Sequence, residues 1–237
     1  MRVLKLKLKT NIMRNSITTL TIALLFMACS SSKSQNLKQP KVTFENQLSK
    51  TLTAINEAKS VKGLFENINK LKRLSNLYPN EWLSDYYVAL LDIKLSMGAK
   101  DRKKKESLLN EAKEILASLK EKENTIESEI LTLDGYYYYA LIAKNPEKNG
   151  QLYYKDVIGS YQKAMAIDKT NPRPVLMQTI FKKKMSNFVH EDMSNLCAKL
   201  EKIEKMFNNS NSKNGVNPKW GTKELKKEQQ ESCSKKS

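Results

Sequence analysis

Histidine occurs once in 237 residues, cysteine three times, proline six times and glycine seven times. One imidazole and three thiols are too little for a zinc site or a disulfide-dense scaffold. So few turn formers exclude a β-sandwich, a barrel or a collagen-like chain. No GxSxG, HExxH, CxxC or phosphate-loop pattern occurs, and spacing singles out no pair of carboxylates. The chain therefore reads as a non-enzyme, with no catalytic residues, no cofactor and no metal. The apolar run ITTLTIALLFMA, residues 17–28, is twelve residues long. A helix needs about 20 to cross a bilayer. What is abundant is lysine, glutamate and leucine, with hydrophobic residues at 40%, enough for one sizeable core.

Basic residues number 42 and acidic ones 25, a net charge of +17. Five of the basic residues, Arg2, Lys5, Lys7, Lys9 and Arg14, precede the apolar run, and no acid accompanies them. Basic residues, then an apolar stretch, then a small residue at Ala28 is the order of a secretory signal. Residues 1–28 thus read as a signal peptide, and a start at Met13 would make it compact. Its removal leaves a net charge of +12, carried mostly by solvated lysine faces. The runs at residues 102–105 and 182–184 lack interleaved aromatics, so they do not indicate nucleic-acid binding.

Cys29 follows the signal directly, and Ser30, Ser31 and Ser32 follow it. The stretch Phe26-Met27-Ala28-Cys29 resembles a bacterial lipobox. That resemblance implies lipidation of Cys29, and two or more acyl chains hold a protein stably on a membrane. Residues 29–41 then form the lipidated cysteine and a flexible tether. No acidic cluster follows the cysteine, which favours an outer-membrane-anchored lipoprotein facing the periplasm.

From Thr43 onward the apolar residues keep helical spacing. Phe44, Leu48, Leu52 and Ile55 share one face, as do Trp82, Tyr86, Ala89, Leu90, Ile93 and Met97. Eight such stripes run to Phe207, with no convincing period-2 alternation among them. The fold class is all-α, built of antiparallel helix pairs. Thr125, with Ser128 and Glu129, is placed to cap the fifth helix, and His190 falls at the start of the eighth. Asn149-Gly150 opens the sixth.

Some stretches also carry a family likeness. Leu74 stands five residues before Pro79 in LSNLYPNEW, and YQKAMAIDKTNPRP places Tyr161 and Ala164 ahead of Asp168. Gly135 and Tyr138 sit within LDGYYYYA. These segments resemble tetratricopeptide (TPR) repeats, in which small residues let paired helices approach and a tyrosine fills the groove between them. The likeness covers roughly residues 60–185. It implies a short, degenerate TPR-like array, here residues 42–208, that binds a protein partner.

Residues 209–237 read as a polar C-terminal tail in which Trp220 caps the last helix pair. Cys197 and Cys233 would meet an oxidising compartment, where a bridge between them and a reduced core cysteine are both reasonable. Tyr86, Tyr136, Tyr139 and Tyr153 are candidates for a binding groove, since tyrosine gives contact area at low entropy cost. Three functions fit the sequence. The first is a lipid-anchored scaffold or binding module of the cell envelope, with a protein partner, membrane attachment through lipid and no nucleic acid. The second is a component of an outer-membrane protein assembly machinery. The third is a glycan- or peptide-capturing lipoprotein.

Overall fold

A computed structural model describes residues 41–210 and 217–233. The signal peptide, Cys29 and the tether up to residue 40 lie outside the described residues. Nine helices and no strand occur among the described residues. They are α1 (Lys41–Glu57), α2 (Val61–Leu77), α3 (Leu83–Gly98), α4 (Arg102–Glu121), α5 (Glu127–Lys144), α6 (Pro146–Ile167), α7 (Pro172–Val189), α8 (Leu196–Asn209) and α9 (Thr222–Cys233). None is long and apolar enough to cross a membrane.

Side-chain caps start several of these helices. Ser60 accepts from the Gly63 amide at 3.1 Å, and Asp101 accepts from the Lys104 amide at 2.6 Å. Asn145 and Asn171 do the same for α6 and α7, each followed by a proline that has no amide hydrogen to satisfy. Thr125 does not cap α5. Ile126 holds the capping position without a side-chain bond, while Ser128 and Glu129 are buried. His190 ends α7 instead of opening α8, in a left-handed conformation at φ 52°. Asn149-Gly150 lies inside α6, because Asn145 and Pro146 start that helix earlier.

Consecutive helices pack against one another. In addition α3 touches α5, and α5 touches α7. The first helices of successive pairs thus form a continuous row. In that row α5 is central, meeting α3, α4, α6 and α7. It is buried on nearly every side, from Ser128 to Ile142. One residue, Asn145, joins it to α6, and the close approach of the two helices depends on Gly135. A Cβ there would lie 2.6 Å from the ring of Tyr161, itself fully buried. No other residue fits that position without moving a core side chain.

The main core runs from Phe44 in α1 to Phe181 in α7. A smaller cluster of Leu176, Leu196, Leu200, Ile203 and Leu225 joins α7, α8 and α9. Residues 217–233, within the stretch expected to be a polar tail, therefore belong to the packed fold. The sequence allows a short helix over Lys223–Gln230 despite few apolar residues, and α9 extends it to Thr222–Cys233. Its place comes from Leu225, from ion pairs and from a covalent bond.

Asp92 on α3 is buried, and its Oδ2 has no hydrogen-bond partner. Burial, reinforced by Glu111, pushes its carboxyl up to about 7, against the pull of Lys72 and Lys104. The folded chain thus keeps this proton where the unfolded chain has lost it. The stability tied to it is full below about pH 4 and is lost as pH rises through about 7. Asp92→Asn should therefore match the parent near pH 4 and exceed it by roughly 2–4 kcal/mol at pH 8. Urea unfolding at the two pH values measures the difference.

Candidate functional site

The chain's far end returns to the row of first helices. Residues 217–233, called the strap below, lie against α3, α5 and α7. What draws the strap there is a buried polar centre. Glu129 of α5 and Arg173 of α7 pair at 3.0 Å, both almost fully buried. Asn171 donates to Glu129 Oε1 at 2.7 Å, and the Tyr86 hydroxyl donates to Glu129 Oε2 at 2.6 Å. The Trp220 indole N–H then donates to the Tyr86 oxygen at 2.6 Å. Arg173 also donates to the Pro218 carbonyl, and the Tyr87 hydroxyl reaches the Asn217 carbonyl at 3.4 Å. Both carboxylate oxygens and two guanidinium nitrogens thus have partners, as a buried ion pair needs, while Arg173 Nε is buried without one.

Around this centre the aromatic rings pack edge to face. Tyr86 meets Trp82 and Tyr87, each at 5.4 Å between centroids. Trp220 stacks on Tyr136 at 6.2 Å, and the Lys94 ammonium sits 5.6 Å from the indole centroid. Burial, and next the Glu129 charge, raises the Tyr86 phenol well above its ordinary value. Burial likewise raises the Tyr87 phenol. Lys94 also pairs with Glu224. Burial works to raise the Glu224 carboxyl, but Lys94 and the Gly221 amide together hold it below the usual carboxylate range.

At Gly221 the strap turns into α9. Its φ of 113° belongs to the region that favours glycine, and a Cβ there would lie 2.5 Å from the Phe207 ring. α9 then runs along α7 and α8, through Leu225 and the Lys183–Glu228 pair, to Cys233. Cys197 and Cys233 are bridged, with Cα atoms 5.6 Å apart.

Between α1, α3 and the strap lies a cleft of about 620 Å³. Leu52 and Ile55 line one wall, Tyr87, Leu90 and Leu91 the next. Trp220 and Gly221 close the third side, and Lys94, Lys219, Lys223 and Glu224 add charge. The wall is thus more apolar than polar, with Ser49, Thr53, Asn56, Asn217 and Thr222 among its lining and cations set around it. Neither histidine, methionine nor cysteine lines it. Among the described residues no group of three or more histidines, cysteines, aspartates or glutamates could hold a metal ion.

The four candidate tyrosines do not meet in one groove. Tyr86 is the hub of the polar centre, Tyr136 lies under Trp220, and Tyr139 packs edge-on against Phe181 at 5.1 Å. Tyr136 and Tyr139 are buried because α5 is enclosed on both flanks, and Tyr86 is buried where α3 packs against α5. Tyr153 lies in a separate hollow with Tyr137 and Tyr138, stacking on Tyr138 at 5.8 Å. Trp220 caps α3 and α5, not the last helix pair. The cleft was visible in the sequence only as the tail of a core stripe. Phe44 and Leu48 are buried as that stripe requires, while Leu52 and Ile55 are half-exposed and face the cleft. The roles of Glu129 and Arg173 carried no signal in spacing, since their partners lie 42 to 45 residues away.

Removing one member of the Glu129–Arg173 pair strands the other. Arg173→Ala should cost about 3–5 kcal/mol of stability, while Lys120→Ala, at an exposed pair with Asp134, should cost about 1 kcal/mol or less. Thermal and denaturant unfolding of both variants checks the contrast.

No family model matches the chain, and no curated protein sequence matches it. Among solved structures, the HusA haemophore from Porphyromonas gingivalis is similar, with a TM-score of 0.67 over 80% of this chain and 92% of that one. The two are 18% identical, so the likeness is one of fold, and it agrees with the all-helical architecture described above.

Proposed function

We propose that the chain is an exported, non-enzymatic binding protein of the bacterial envelope, lipid-anchored through Cys29. In this reading the cleft between α1, α3 and the strap takes a flat, mostly apolar ligand with acidic groups. Haem is the leading candidate, because the structural neighbour is a haemophore. The observation that carries the reading is the cleft's chemistry. Leu52, Ile55, Leu90, Leu91 and Trp220 offer an apolar surface, and Lys219 and Lys223 are placed to meet carboxylates. Its volume lies within the ordinary range for small-ligand sites, about 300–1,000 Å³.

The same lining supports recognition of the ring and not of its iron. The Tyr87 hydroxyl is committed to the Asn217 carbonyl, and burial keeps its proton in place. No other side chain of the cleft is a usual axial ligand.

The TPR-like array remains part of the proposal as the frame that holds the cleft. A protein partner would dock elsewhere on it, because the strap already covers the row of α3, α5 and α7. No observation favours the outer-membrane assembly role.

Titration of the protein with haem and with metal-free protoporphyrin tests the ligand. Both should quench tryptophan fluorescence with affinities within about threefold of each other. Lys219→Glu with Lys223→Glu should weaken both about tenfold or more. Failure of the parent to bind either compound overturns the ligand reading. Labelling with a radioactive fatty acid tests the anchor: label should enter the parent and be lost in Cys29→Ser.

A further inference from the structure

The strap has two parts that are held very differently. Up to Gly221 it is fixed by Arg173, Tyr86 and Tyr136. Beyond Gly221, Leu225 is the one deeply buried apolar side chain of α9. The Lys94–Glu224 and Lys183–Glu228 pairs and a 3.0 Å bond from Gln229 to Glu204 add polar contacts. Twelve residues with a single apolar anchor do not hold a helix in water. The covalent bond from Cys233 to Cys197 supplies the rest. That bond is reachable. Both cysteines are half-exposed, and with Glu201, Gln229 and Gln230 they border an open hollow of about 280 Å³.

We infer that the Cys197–Cys233 disulfide is a redox latch on the ligand cleft. Reduction frees α9 to swing about Gly221. Thr222, Lys223 and Glu224 then leave the cleft wall, and bound ligand is released. The release of ligand rests on the function proposed above; the freeing of α9 does not.

The reductant is a dithiol, either a small molecule or a protein of the envelope with two neighbouring thiols. One of its thiolates attacks a sulfur of the bridge and forms a mixed disulfide. Its second thiol then resolves that bond. The dithiol ends as a disulfide, and Cys197 and Cys233 end as two thiols, with two electrons and two protons transferred. The oxidising envelope keeps the latch closed until such a partner arrives. The bridge spans 36 residues of chain, so its loss should raise the open population of α9 about a hundredfold or more.

Hydrogen exchange read by mass spectrometry tests the latch on the full chain. Three samples are compared: oxidised, reduced with dithiothreitol, and carrying Cys197→Ser with Cys233→Ser. Amides of residues 222–233 should exchange at least about tenfold faster in the second and third samples, with α3 and α5 unchanged. Haem should leave the double variant about tenfold faster than it leaves the oxidised parent. Unchanged exchange in α9 overturns the latch. Equal acceleration in α3 and α5 also overturns it, since the bridge would then staple the whole fold. Faster α9 exchange with unaltered haem release overturns the link to the cleft. Faster α9 exchange in a chain that binds no haem when oxidised supports the latch and overturns the proposed ligand instead.

Discussion

One buried carboxylate organises this molecule. Glu129 sits in the first turn of α5 with almost no access to water, and a bare charge there would be prohibitive. Its two oxygens accept from Tyr86, Asn171 and Arg173, groups supplied by α3 and by the start of α7. Three non-consecutive parts of the chain must therefore stand at fixed distances from one another. Tyr86 and Arg173 each hand on a further contact, to Trp220 and to the Pro218 carbonyl. The position of the strap follows from that same charge. Apolar packing alone would allow the helices to slide along one another; the directional bonds to Glu129 fix their register.

The all-helical fold was legible because the apolar spacing is strong in the helices with one buried face, such as α2 and α8. It was least legible in α5, where burial on nearly every side removes the contrast on which periodicity depends. Gly135 was readable as a point of close helix approach, and the structure adds its partner, the ring of Tyr161. The start of α6 was missed because Asn149-Gly150 looks like a turn. Asn145 and Pro146 carry a stronger start signal four residues earlier.

The candidate site was less legible for a physical reason. Tyrosines drew attention by their number, but in a helix buried on both flanks most of them must pack inward. The cleft is instead made from ordinary leucines and lysines that become a site only when the strap lies beside them. Nothing local in residues 217–224 requires them to meet α1 and α3. The bonds that bring them there span 130 and 134 residues. A contact of that span is invisible to pattern and follows only from the fold as a whole.

That span also sets an order of events for a chain made from its N-terminus. Helices α5 and α6, joined by Asn145 alone, can pair as soon as both have emerged, since their contacts are local. Trp220 comes out after all of α1 to α8. Until it arrives, the Tyr86 oxygen lacks its indole donor and the Tyr136 ring lies bare. Among the described residues, the docking of residues 217–233 therefore comes after the helices they cover have packed. A chain cut short before them would display a sticky aromatic seam to whatever quality-control factors it meets.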